Sequence, residues 1–483
     1  MSPPSTNTGE TPPTALPQQL HSLLLDLSAH PYPHVPNPPG LKKRASVALI
    51  IRIQPRYSHW PSDDTADNNN NDNTTTTESF HNIDAEAENS DKAAKSSTAD
   101  RLTAFFAQDW VRNGDPEVLF IKRAHRAGDR WTAHVALPGG RRDPEDVDDR
   151  AAAVRETWEE VGIKLEEDGE NGGGNCIAVG NLPERVVTTS WGKVPLMVLH
   201  PHIFILTTPS PPPLRLQPTE VASCHWVSLR ALLSPAHRTH WHEDVSNRLA
   251  KQEMGLKRAF LRLMLGKMVF AAINLVPSSS AYCSTIPGFV AGDDTTAPPS
   301  ISTTVLASLA ALSPSQPSHQ SPHPPLLLWG LTLGIMADFL DLLPPHSALK
   351  LWTYPTFSPP DVRLALWLTS YTFRRGRERE LGFRSDNDAA AKSSDVQVEK
   401  VEEGLDGAPP AGISGLGVKQ YYGGRLGRKR RVESSKVGIL LEGYYDIVRW
   451  TVKLVVAGRL AVAGAVVVWA VRWWRRGGGK GLW

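Results

Sequence analysis

The chain is poor in cysteine: three residues in 483 (Cys176, Cys224, Cys283), with no CxxC pair and an odd total. That excludes a disulfide framework, a zinc ribbon and a thioredoxin-type site, and a reducing compartment is expected for the soluble part. An excess of charge of either sign is also missing. Lys and Arg number 52 against 50 Asp and Glu, a formal net charge of +2. A globally basic nucleic-acid binder and an acidic solvating chain are both excluded, so any electrostatic function must come from local clusters and no nucleic-acid partner is expected. The first Lys or Arg is Lys42, and the opening residues MSPPSTNTGETPPTALPQQ hold no apolar run, so neither a secretory signal nor an Arg-rich transit peptide is expected.

Proline, by contrast, is plentiful at 40 residues, and several stretches are compositionally biased. One folded domain with appendages is therefore expected rather than the three domains that length alone suggests. Residues 1–40 form a Pro-rich segment whose Leu cluster, LHSLLLDL at 20–27, is read as a turn or two of helix on a docking appendage at most. The core domain spans 41–345, with low-complexity insertions expected to be disordered at about 62–100 and 278–322. Strands are expected at ASVALIIRI (45–53), VLFIKR (118–123), HVALPGG (134–140), PLMVLHPHIFIL (195–206), CHWVSL (224–229) and MVFAAINLV (268–276). Helices are expected at 151–161, as a basic amphipathic segment at 249–266, and at 326–343. An extension at 346–384 and a polar, basic linker at 385–436 follow, then an apolar helix at 447–474.

The chemistry is concentrated in Leu137–Ile163, LPGGRRDPEDVDDRAAAVRETWEEVGI. A Gly pair closes a strand, an acidic loop follows, and a helix carries Glu156, Glu159 and Glu160. At ~100° per residue, the second and third lie about 300° and 400° on from the first, so all three carboxylates share one sector of the helix. Crowded like charges weaken a purely structural helix. A divalent cation removes the conflict, and an oxygen-only ligand set suits Mg2+ or Mn2+. Arg155 can orient a carboxylate by a bidentate bond, and the glycine turn lets backbone carbonyls approach a metal closely. His134, His200 and His202 are read as packed or hydrogen-bonded strand residues.

These residues resemble the Nudix hydrolase signature: Gly, five residues, Glu, seven residues, then Arg-Glu-apolar-x-Glu-Glu-x-Gly-apolar. Gly140, Asp146, Arg155, Glu156, Glu159, Glu160, Gly162 and Ile163 follow it, with Asp in place of the first Glu, eight residues rather than seven before Arg155, and Thr157 at the first apolar position. The longer spacing and PGGRRDPED resemble the coenzyme A diphosphatase branch, as do VLFIKRAHRA (118–127) and TTSWGKVPLMV (188–198); Trp131-Thr132-Ala133-His134 stands where that branch has His-x-Gly-Glu. The resemblance implies a Nudix α/β/α sandwich with a mixed sheet. It also implies metal held by Glu156, Glu159, Glu160 and the Gly139 carbonyl, with Glu156, Glu159 and Arg155 catalytic and the general base either Glu156 or a residue of a distal loop. Arg123, Arg141 and Arg142 are the candidate substrate cations. The implied reaction is hydrolysis of a nucleoside-diphosphate-linked molecule, coenzyme A or an acyl derivative giving 3',5'-ADP and 4'-phosphopantetheine. The alternatives are an ADP-ribose, dinucleotide or capped-RNA hydrolase, and a catalytically silent membrane scaffold.

Leu454–Val471, LVVAGRLAVAGAVVVWAV, carries one charge in 18 residues. As a helix it is ~27 Å long, just short of a ~30 Å hydrocarbon core. Arg459 is placed to snorkel to the interface, and Trp469, Trp473 and Trp474 with Arg472, Arg475 and Arg476 form an interfacial belt. A single-pass anchor with a cytosolic catalytic domain is expected. Arg428–Arg431 reads as an import signal or as a lipid contact.

Overall fold

The structure is a computed structural model. It describes residues 15–57, 97–126, 132–167, 174–188, 194–210, 212–244, 262–283, 326–349, 352–381 and 435–475. The basic run at 428–431, most of the 249–266 segment and most of both insertions lie outside these residues.

A nine-stranded mixed sheet forms the centre. Its middle strands are β1 (Arg44–Gln54), β2 (Asp115–Arg123), β7 (Pro195–Leu206) and β8 (Val221–Ser228). Its main path runs from β11 (Pro277–Tyr282) through β8, β2, β1 and β7 to β5 (Cys176–Asn181). β1 runs parallel to β7 and antiparallel to β2. Their apolar runs are continuous because the sheet is covered on both sides. Leu49, Ile51 and Ile53 of β1 belong to one buried cluster, Ala48 and Ile50 to another, as the two-residue period of a strand requires. The first cluster packs α1 (Leu16–Ala29), α2 (Thr98–Ala107) and α3 (Asp109–Asn113); the second packs α4 (Asp149–Val161). This is the expected α/β/α sandwich.

Several segments differ from the sequence reading. The segment 326–343, expected as one helix, opens as strand β12 (Leu327–Trp329), which pairs with β10 (Met268–Asn274), before its helix begins at Gly330. The Leu cluster is a 14-residue helix whose Leu20, Leu23, Leu24 and Leu27 lie in the main core. Their i, i+3, i+4, i+7 spacing gives one continuous apolar stripe. Residue 278 begins no insertion either, because β11 (Pro277–Tyr282) pairs there with β8. Short β3 (Val135–Ala136), β4 (Gly139–Arg141) and β6 (Arg185–Thr188) attach to β2, β1 and β7.

A second sheet holds β9 (Arg238–Glu243), β10 (Met268–Asn274), β12 (Leu327–Trp329) and β13 (Thr356–Phe357). α5 (Leu229–Leu233) packs on β2 and β8 of the first sheet, α6 (Gly330–Leu342) and α7 (Pro360–Thr369) pack on the second, and α8 (Tyr371–Glu380) and α9 (Lys436–Leu441) pack on these helices and on each other. α6 joins the two sheets, since its buried Asp338 pairs with the buried Arg185 of β6 and accepts from the Val437 N–H at 3.1 Å. The last helix, α10 (Tyr444–Arg475), packs Tyr444, Tyr445, Val448, Val452 and Val455 into the core formed with α7. Beyond this half it is uncovered. It is long and apolar enough to cross a membrane, and the apolar window is wholly unburied. Arg459 departs from expectation: rather than being free to snorkel, its guanidinium donates to both carboxylate oxygens of Asp361, at 2.8 and 2.6 Å, and to the Met264 carbonyl.

Candidate active site

α4 carries the signature. The Asp148 carboxylate caps it, accepting from the Ala151 N–H at 2.6 Å, and Gly162 ends it in a left-handed conformation. Thr157 fits its apolar position because its hydroxyl donates to the Ala153 carbonyl at 2.7 Å, leaving only the methyl to pack.

The strand–loop–helix path brings Gly139 and Gly140 of β4 against the carboxylate end of α4. The Gly139 N–H donates to Glu160 Oε2 at 2.8 Å. A side chain at Gly140 would collide with the Glu156 carboxylate, and one at Gly139 with the β1 backbone, so only glycine permits this approach. Glu160 is 1% exposed. Burial, reinforced by the charges of Glu156 and Glu220 and opposed by the Gly139 N–H and Arg123, pushes its carboxyl up to about 8. Burial likewise raises Glu156. Arg155 is the hub. It clamps Asp146 through Nε and Nη2, both at 3.0 Å, reaches Glu159 at 3.0 Å and Glu156 at 3.3 Å, and donates to the Arg141 carbonyl at 3.0 Å. Asp146 thus receives the bidentate bond that Arg155 is expected to give a carboxylate.

Of the three candidate substrate cations, Arg123 lies 3.7 Å from Glu160 and Arg141 is exposed on β4. Arg142 turns away: it bonds Asp149 at 3.2 Å and the Asp146 and Val147 carbonyls. A fourth acidic residue joins the site. Glu220, in the turn before β8, is near enough for its charge to raise both Glu156 and Glu160, and it pairs with Arg126 at 3.3 Å. Sequence reading missed it, although it is the one carboxylate between Glu184 and Glu243.

The first turn of α4 holds a different cluster. His34, Asp149 and Glu184 bring donor atoms within 4.8 Å of one another, a spacing that suits a metal. Arg44 already bridges the two carboxylates, donating to Asp149 at 2.7 Å and to Glu184 at 2.8 Å, with His200 Nδ1 3.3 Å from each. A guanidinium supplies the counter-charge a cation would bring, so this is an ion-pair network. The acidic cluster at the other end of α4 is the one that fits a divalent cation: its donors are oxygens only, and Glu156 and Glu160 are raised by burial and by neighbouring carboxylates beyond what Arg155 and Arg123 offset.

Residues 109–249 match the family model described as NUDIX domain. An uncharacterized protein of Schizosaccharomyces pombe is 35% identical over 261 residues, covering 53% of this chain and 66% of that protein. The peroxisomal coenzyme A diphosphatase ndx-8 of Caenorhabditis elegans is 32% identical over 111 residues, 23% of this chain and 41% of the relative. The peroxisomal coenzyme A diphosphatase NUDT7 of Mus musculus is 43% identical over 53 residues, 11% and 22%. The chain thus spans less than two thirds of the length of each of these relatives. A solved MutT/nudix family protein from Enterococcus faecalis is 13% identical, with a TM-score of 0.21 over 43% of this chain and 51% of that one; superposition of that extent leaves the assignment to the sequence match. With the signature helix, its glycine turn and its carboxylates in place, residues 109–249 form a Nudix domain, and the chain resembles the coenzyme A diphosphatase branch.

Proposed function

We propose that the protein is a metal-dependent diphosphatase that cleaves a nucleoside diphosphate linked to a second moiety, with coenzyme A or an acyl derivative as substrate. The observation that carries this reading is the convergence of Glu156 and Glu160 on the Gly139–Gly140 turn, with burial raising both and Glu159 held beside them by Arg155. Glu156, Glu159 and Glu160, with the Gly139 carbonyl, would hold Mg2+ or Mn2+. When bound, such an ion polarises a phosphoryl oxygen and acidifies water. Arg155 holds Glu156 and Glu159 in position through its clamp on Asp146. Glu156 or Glu220 takes the proton of the attacking water. Arg123 and Arg141 face the diphosphate, and Arg142 serves the loop instead. Water adds to one phosphorus, the bridging P–O bond breaks, and two phosphate monoesters leave: 3',5'-ADP and a 4'-phosphopantetheine product.

The coenzyme A reading draws support from the two relatives named for that activity and from the spacing of the GG–acidic loop. A silent scaffold has no use for carboxylates that burial raises beyond what Arg155 and Arg123 offset. The protein is further proposed to be membrane-associated through α10, with its catalytic domain on the cytosolic side. Full-length protein in detergent, assayed with Mg2+ or Mn2+ against coenzyme A, ADP-ribose, NADH and cap analogues, tests the substrate. Adenosine 3',5'-diphosphate as the main product is expected; turnover of another member of the panel alone would move the substrate, and no turnover of any would restore the scaffold.

A further inference from the structure

The expected single-pass span meets an obstacle at Arg459. An Arg–Asp pair joined by two short hydrogen bonds, its guanidinium also donating to a backbone carbonyl, belongs outside hydrocarbon. It therefore fixes the lowest level at which α10 can leave the protein. From there to the next charge, Arg472, only Leu460–Val471 remain, twelve residues, or ~18 Å of helix against a ~30 Å core. That segment does not cross a bilayer held upright.

α7 shows what the arrangement serves. It runs antiparallel to α10, with Asp361 beside Arg459 and the Thr369 hydroxyl 2.7 Å from that of Thr451. Val362 and Leu366 are buried toward the core. Its outward side carries Leu364 (58% exposed), Trp367 (50%) and Leu368 (59%), continued by Tyr371 (38%) at the start of α8, at i, i+3, i+4 and i+7, an apolar stripe facing solvent. Arg374 lies over the Trp367 ring at 5.9 Å and Arg375 over Tyr371 at 4.9 Å. α10 adds exposed Trp450, Leu454 and Lys453 on its docked half. Trp and Tyr with Leu anchors and flanking arginines match the water–lipid interface, where amphipathic rings sit at headgroup level and cations meet anionic lipid.

We infer that the protein sits on an anionic membrane surface along the exposed sides of α7 and α10, with Leu460–Val471 entering one leaflet at a shallow angle and returning no residue to the far side. This deepens the membrane association proposed above and replaces the single-pass geometry. A perpendicular helix would instead hold the α7 stripe away from the bilayer, because α7 runs back from Asp361 alongside α10.

Full-length protein with a C-terminal epitope is added to sealed vesicles of phosphatidylcholine containing phosphatidylserine. Flotation with the vesicles and complete removal of the epitope by external protease are expected. Leu364→Ser/Trp367→Ser/Leu368→Ser, all surface changes, should lower vesicle partition about tenfold or more while leaving turnover in detergent unchanged. A Leu368→Cys variant labelled with an environment-sensitive dye, specific because Cys176, Cys224 and Cys283 are buried, should shift to the blue on vesicle addition. A protected epitope, or undiminished partition of the triple variant, overturns the inference and leaves the membrane association standing. So does a lipid-free dimer that the triple variant abolishes, or a dye already shielded in lipid-free monomer, which would assign the stripe to a second copy or to the chain itself. Failure of the parent protein to float would remove the membrane association as well.

Discussion

The two ends of α4 are both acidic, and they are opposite in character. At the first turn Asp149 and Glu184 meet Arg44, Arg142, His34 and His200. Burial alone would raise the Asp149 carboxyl, but hydrogen bonds from His200 and Arg44 outweigh it and hold it well below the usual carboxylate range. At the last turn Glu156 and Glu160 are raised, since burial and neighbouring carboxylates exceed what Arg155 and Arg123 offset. Proximity of acidic groups therefore does not define a cation site. The balance of charge that the fold supplies does, and it separates a structural network from a reactive one within a single 13-residue helix.

The comparison breaks most severely at Arg44. Arg44→Ala leaves two buried carboxylates without their cation and should destabilise the protein by about 3–5 kcal/mol, measured by chemical denaturation. Retained stability would mean the first-turn cluster has another counter-ion. Glu160→Gln should do the reverse: turnover falls on the order of 10²–10³-fold, about 3–4 kcal/mol of barrier, while the melting temperature holds or rises because a buried charge site is removed. Unchanged turnover would refute the metal assignment.

A milder probe is pH. Burial, with the charge of His200 next, holds His202 down to about 3 from an ordinary 6.5, so between those values the unfolded chain binds the extra proton. Its contribution is complete above pH 6.5 and is lost as pH falls toward 3, on the order of 1 kcal/mol by pH 5.5. Melting curves of His202→Phe should be flatter than the parent's across that window; identical slopes would place the acid sensitivity elsewhere. The smallest effect is expected at Ala133, a non-glycine residue with φ 58° just before β3. Ala133→Gly should relieve left-handed strain, which the greater freedom of glycine in the unfolded chain partly offsets, for a net gain of about 0.5 kcal/mol.

The reactive end of α4 was legible because its information is local. Caps, helical period and three carboxylates within five positions all lie in one run of chain, and Arg155 finds Asp146 nine residues away. The balanced end was not. Arg44 reaches Asp149 across 105 positions and Glu184 across 140. Nothing adjacent to any of these residues distinguishes a buried partner from a solvated one. Glu220 and Asp361 were hidden for the same reason, each ordinary in its own segment.

Sequence alone was sufficient for the Nudix resemblance, the middle strands of the central sheet, the signature helix and the existence of an apolar C-terminal helix, since periodicity, capping and a charge-dense motif act over a turn or a strand. Strand register, and above all the parallel pairing of β1 with β7, assigned each charge its partner. Tertiary packing also turned the Leu cluster at 20–27 into core and tied Arg459 to the protein surface. Charges and apolar groups take their energies from what surrounds them, and those surroundings are assembled from residues far apart in the chain.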